Sequence, residues 1–207
     1  MRTGIVVGFL ALLVPTRAVA DEFDHTKQFT HNGQFGVQAQ SGLGFRFIAP
    51  YDSATEYCGQ LKDDGTNENK PVCSKRSPIT LDLGLSYGVS QSLEVFVEAR
   101  LGLQNDIPAS ATSTADGPKQ RAYSGGVKYY IRDAGLTKFF SSVQFIVDVT
   151  DFKQVDKTDY GIRNTNGLQF DFHRTLGVYF YFGETVAFAR WFRFEFDTGV
   201  GLQIRVP

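Results

Sequence analysis

A strict two-residue alternation of apolar and polar side chains recurs along most of this chain, and nothing else in the sequence constrains the fold as strongly. In the last segment Phe192, Phe194, Phe196, Thr198, Val200, Leu202, Ile204 and Val206 share one parity, while Arg193, Glu195, Asp197, Gly199, Gly201, Gln203 and Arg205 share the other. Successive side chains of a strand point to opposite faces, so this pattern specifies a strand with one greasy face and one charged or tiny face. Residues 93–104 repeat it, with Leu93, Val95, Val97, Ala99, Leu101 and Leu103 opposite Glu94, Phe96, Glu98, Arg100, Gly102 and Gln104. Residues 79–87 do so again, with Thr80, Asp82, Gly84 and Ser86 on the polar side.

Eight such segments are legible: 33–49, 78–88, 93–104, 120–132, 139–150, 165–173, 176–187 and 192–206. Most exceed the roughly five or six residues usual in soluble sheets and reach the roughly nine to eleven needed by a tilted strand crossing a membrane. Long polar connections, 50–77, 105–119 and 151–164, alternate with short turns at 89–92, 133–138 and 174–175, and the seventh connection, near 189–191, is short. A meander with short turns at one end and long loops at the other is the organisation of an outer-membrane barrel, with both termini on the short-turn side. The expected fold is therefore all-β: an eight-stranded antiparallel up-and-down transmembrane β-barrel, filling residues 33–207 as one domain.

The start of the chain is read as an address. Arg2, the apolar stretch 5–14 and the small-x-small pattern Ala18-Val19-Ala20 describe a cleaved secretory signal peptide over 1–20, followed by a polar periplasmic lead-in over 21–32. Losing Arg2 and Arg17 changes the formal charge from −1 to −3, with 19 basic against 22 acidic side chains. No cluster of Lys and Arg suits the phosphate backbone of a nucleic acid, so that partner class is excluded. In an oxidising compartment Cys58 and Cys73, fourteen residues apart in between, read as a disulfide closing one long loop; two thiols fall short of a structural metal site, and no cofactor is expected.

The orientation of the faces decides between a membrane barrel and a soluble one. The polar parity carries Arg46, Asp82, Glu94, Glu98, Arg100, Lys128, Arg132, Asp148, Asp171, Arg193, Glu195, Asp197 and Arg205, interleaved with Gly36, Gly42, Gly44, Gly84, Gly102, Gly126, Gly199 and Gly201. Glycine weakens a solvated strand, but inside a narrow barrel it makes room for long charged neighbours, and balanced opposite charges pair there. The polar parity is therefore expected to line the lumen as an ion-pair network, with the apolar parity facing lipid. Aromatic residues near strand ends, Phe45, Phe47, Tyr123, Tyr129, Phe139, Phe140, Phe170, Phe172, Trp191, Phe192 and Phe194, are read as interfacial girdles. One strand is ambiguous, because Val178, Phe180 and Phe182 share their parity with Glu184; either a bulge near Gly183 or a position of Glu184 beyond the apolar band reconciles them.

Signal peptide, eight amphipathic strands, asymmetric loops and a final aromatic strand together resemble the small eight-stranded outer-membrane barrels, the group that includes the OmpA transmembrane domain, OmpX and OmpW types. The resemblance is architectural. It implies an outer-membrane location, lipid and lipopolysaccharide as surroundings, passage through the outer-membrane insertion machinery, and a protein partner bound through the extracellular loops. The chain departs from the group by finishing Ile204-Arg205-Val206-Pro207, where such barrels carry a terminal aromatic.

Chemistry is sparse. His173-Arg174-Thr175 faintly resembles the His-x-Ser pattern of lipid A deacylases, with both side chains on one strand face, but at the short-turn end, away from the outer leaflet. His25 and His31 belong to the polar lead-in with Asp21, Glu22 and Asp24, read as a solvated terminus. Glu94 with Glu98 and Glu195 with Asp197 are accounted for as lumen ion pairs rather than catalytic carboxylates, and Gly125-Gly126 and Gly199-x-Gly201 as strand glycines rather than phosphate loops. The expected function is that of a non-enzymatic barrel with a packed polar lumen, presenting a disulfide-closed loop for envelope integrity or surface interaction. The rivals are a narrow pore for small solutes, a lipid A-modifying enzyme and a soluble lipocalin-like binder with its faces reversed.

Overall fold

In the computed structural model residues 30–51, 59–61, 67–69, 71–106, 118–131, 135–151 and 158–206 are described. The strands are β1 (Phe35–Ala49), β2 (Gly59–Leu61), β3 (Asn67–Asn69), β4 (Cys73–Arg76), β5 (Thr80–Gly88), β6 (Leu93–Asn105), β7 (Lys119–Tyr130), β8 (Thr137–Asp148), β9 (Asp159–His173), β10 (Leu176–Ala187) and β11 (Phe192–Val206). The order β11-β10-β9-β8-β7-β6-β5-β1 closes on itself because β1 also pairs with β11, from Phe35 opposite Val206 to Ala49 opposite Phe192. Every pairing is antiparallel, and closure leaves no open edge among these eight strands, the condition a sheet must meet in hydrocarbon.

β4 prolongs β5 along β1, pairing Cys73 with Ile48 and Arg76 with Phe45. The two strands are one ladder interrupted at Pro78, which has no N–H to donate; the flanking Ser77 N–H still reaches the Gly44 carbonyl at 2.8 Å. The small hairpin β2–β3 lies in the same connection, so the long loop expected at 50–77 contains strand structure of its own. β9 likewise begins at Asp159, six residues before the expected start at 165, and takes part of the expected loop 151–164 into the barrel wall. Cys58 and Arg132 lie outside the described residues, as do 1–29.

Burial is inverted relative to a soluble protein. Arg163, Asp82 and Gln203 are 0% exposed, whereas Leu85, Val97 and Phe45 are about 60% exposed. An apolar outer wall around a charged interior is the pattern of a membrane barrel, and it removes the lipocalin-like alternative, which needs the opposite parity. Two residues read as girdle aromatics prove to be interior: Phe140 and Trp191 are each 1% exposed. Phe139 is 43% exposed, and a neighbour one position along a strand must face the other way.

The barrel is too narrow for bulky side chains at every inward position. Tyr179 and Tyr181 project into it from β10, and the ring of Tyr179 fills the space a side chain at Gly201 would need, while Tyr181 does the same at Gly42 and Gly199. Ring packing then continues inward through Tyr179 edge-on to Phe140, at a centroid distance of 5.8 Å.

Candidate functional site: the charged lumen

At the short-turn end the lead-in folds under the barrel. Gly33, at φ 73°, supplies a left-handed turn, and its N–H reaches the Gly88 carbonyl at 2.8 Å. This turn places His31 inside, 1% exposed, which corrects its reading as part of a solvated terminus. Its Nδ1 lies 3.0 Å from Glu94 and its Nε2 3.1 Å from Asp171. Asp171 also accepts from Arg205 at 3.0 Å and Gln169 at 2.8 Å, and pairs with Lys138 at 2.8 Å. Tyr130 donates to Glu94 at 3.1 Å and stands edge-on to the His31 ring at 4.4 Å.

Above this cluster Lys128 meets no carboxylate within ion-pair distance among the described residues. Its ammonium donates to Gln38 at 3.2 Å and lies 5.1 Å from the ring centroids of both Phe140 and Tyr179, so aromatic faces take the place of a counter-ion.

The middle of the lumen is crossed by alternating charges. Arg100 grips Asp82 with two nitrogens, at 3.0 and 2.7 Å, and approaches Asp197 at 3.4 Å. Arg163 pairs with both carboxylate oxygens of Asp197, at 2.7 and 2.9 Å, and shares one of them with Arg100. The chain Asp82, Arg100, Asp197, Arg163 thus links β5, β6, β11 and β9, bridging the barrel from wall to wall with planar two-pronged pairs. Gln40 extends it by donating to Asp82 and Glu98, both at 3.0 Å.

At the long-loop end Arg46 pairs with Asp106 and lies 3.4 Å from Glu195, and Arg193 pairs with Asp148 at 2.6 Å. Asp148 also accepts from the Thr150 amide at 2.9 Å, and Asp159 accepts from the amides of Ala189 and Arg190 at 2.9 and 3.0 Å, so carboxylates pin the loop ends as well as the cations. A cavity lined in part by Glu98, Arg100, Arg163 and Glu195 leaves room for about one water molecule.

Of the thirteen residues assigned to the lumen from sequence, the twelve that are described, all except Arg132, are buried. Sequence reasoning missed Asp106, Lys138, Asp159, Arg163 and His31, which are buried beside them. Arg163 and Asp159 carried a usable signal, since they alternate with Tyr160 and Ile162; His31, Asp106 and Lys138 sit at strand ends or beyond, where alternation says nothing.

Cys73 begins β4, and its pairing with Cys58 falls on a residue outside the description. His173 ends β9 and Thr175 lies in the following turn rather than on a shared strand face; His173 Nδ1 is 2.8 Å from the Thr175 hydroxyl and also accepts from the Thr175 amide at 3.2 Å, closing the turn. Among the described residues no group of three His, Cys, Asp or Glu is arranged to hold a metal ion. The register runs without a shift past Gly183, so no bulge relocates Glu184; the one irregularity between β9 and β10 lies at Leu176/Gly177.

No family model and no curated protein matches the chain. Solved structures do. The N-terminal β-barrel domain of Pseudomonas aeruginosa OprF is similar over 84% of this chain and 98% of its own, with a TM-score of 0.53 and 9% identity. Neisserial surface protein A is similar over 84% and 99%, with a TM-score of 0.53 and 10% identity. At such identities the likeness is one of fold: a small eight-stranded outer-membrane β-barrel.

Proposed function

We propose that this protein is a non-enzymatic outer-membrane barrel whose packed lumen makes it a rigid anchor, displaying the connections between β1 and β4 and between β8 and β9 at the cell surface for envelope integrity or for a partner. The observation that carries this reading is the line of charges from Asp82 through Arg100 and Asp197 to Arg163, which occupies the middle of the lumen where a pore would need water. The location rests on the lipid-facing apolar wall, with lipid and lipopolysaccharide as its surroundings and the insertion machinery as its route. A Cys58–Cys73 disulfide would stiffen the displayed loop. The turn that uses both His173 and Thr175 supports leaving catalysis out.

Conductance across a planar bilayer tests the anchor against the narrow pore. The wild-type chain is expected to give no discrete current steps, and Arg100→Ala with Arg163→Ala to open a small conductance by removing the crossbars. Regular steps from the wild type would favour a pore for small solutes instead.

A further inference from the structure

The apolar wall carries a cluster of polar side chains. On β5 and β6 the outward rows Leu81, Leu83, Leu85 and Val95, Val97, Ala99, Leu101 are uninterrupted. On β8, β9 and β10 the outward rows are broken by Ser141, Asn164, Asn166 and Glu184, all half-buried. Strand register gathers these four into one patch: Asn164 stands opposite Glu184, Ser141 opposite Asn166, and the two asparagines are successive on the same face. Asn166 falls midway along β9 between exposed Tyr160 and Phe172, and Glu184 is bracketed on β10 by exposed Phe182 and Val186. Glu184 therefore does not lie beyond the apolar band, contrary to one sequence expectation; the patch sits within it. Among the described residues none of these four side chains has a hydrogen-bond or ion-pair partner.

Hydrocarbon supplies neither donor nor acceptor, and an ionisable side chain facing it marks a functional surface. We propose that this patch is a contact face for a second copy of the chain, docked about a two-fold axis along the membrane normal. Two properties select that occupant. Such an axis brings each residue to its counterpart at the same depth, so patch meets patch automatically. The patch is also self-complementary: asparagine amides both donate and accept, and the Glu184 carboxyl of one copy can take the amide N–H groups of Asn164 or Asn166 from the other. Lipid headgroups carry their polar atoms outside the hydrocarbon and cannot reach it. The inference rests on the membrane-barrel reading above.

Sedimentation equilibrium of the full chain in density-matched detergent reads the association directly. The wild type is expected to dimerise, and Asn164→Leu with Asn166→Leu and Glu184→Leu to weaken the dimer at least tenfold while retaining the gel shift on heating that marks a folded barrel. In membranes, Asn166→Cys is expected to give an oxidised covalent dimer that neither the native chain nor Leu85→Cys, on the unbroken wall, gives. A monomeric wild type, an unchanged dimer in the triple variant, or a different protein held at this face by a monomeric chain would overturn the proposal. Absence of the heat shift in the wild type would overturn the membrane-barrel reading with it, so the two failures are distinguishable.

Discussion

Asp171→Ala is expected to be among the costliest single changes in the barrel. In the native protein this carboxylate meets Lys138 at 2.8 Å, Arg205 at 3.0 Å and His31 at 3.1 Å, and accepts from Gln169 at 2.8 Å. Without it His31 and Arg205 fall back on Glu94, which lies 3.0 Å from His31 but 3.8 Å from Arg205. Removing one partner from a buried charge cluster costs about 3–5 kcal/mol, because the remaining charges stay buried. Water entering from the nearby short-turn rim lowers that figure, so a loss of about 3 kcal/mol is expected. Asp171→Asn keeps acceptor and shape and should lose roughly half as much. Reversible urea unfolding in lipid vesicles measures both, followed by the fluorescence of Trp191, the single tryptophan, which is 1% exposed. Adding Lys138→Ala to Asp171→Ala should cost less than the two separate losses together, since each change removes the other's partner. A loss below about 1 kcal/mol, or strict additivity, would refute the idea that the lumen charges act as one paired network.

Three other outcomes are expected. Gly201→Val places a branched side chain where the Tyr179 ring lies, and overpacking of this kind should lower stability by about 1–3 kcal/mol in the same urea titration, whereas Gly135→Ala, in a turn with nothing near it, should act only through its φ of 113°. Leu85→Arg puts a cation on the lipid face and should cost about 2–4 kcal/mol if Leu85 lies near mid-bilayer, with little effect in a barrel whose outer wall meets water. Intact mass without reductant should fall about two protons below the reduced mass if Cys58 and Cys73 are joined, as expected for an exported chain; no mass difference would exclude the disulfide.

What could be read from sequence, and what could not, follows from the period of a strand. Alternation assigns faces wherever one wall meets lipid, so β10 and β11 coincide with the segments 176–187 and 192–206, and the inward charges of β5 and β6 were identifiable by parity alone. The first part of β9 is hidden because Asn164 interrupts the apolar parity that Tyr160 and Ile162 begin, so a short alternating stretch reads as a polar connection. β2 and β3, three residues each, are too short to carry a period. Parity also cannot say which charges meet. Arg163 finds Asp197 across the lumen, thirty-four residues away, through barrel closure and register that no local pattern records. His31 precedes the first strand, and its place was set by one glycine turn rather than by alternation.

The central claim is that the apolar parity faces lipid around a closed, charged interior. Fractionation of expressing cells, followed by gel migration of the membrane fraction with and without boiling, tests it most directly, because closed barrels resist detergent until heated. The protein is expected in the outer membrane, with migration that changes on heating. Recovery as a soluble periplasmic protein whose migration ignores heat would contradict the assignment of the two faces and everything built on it.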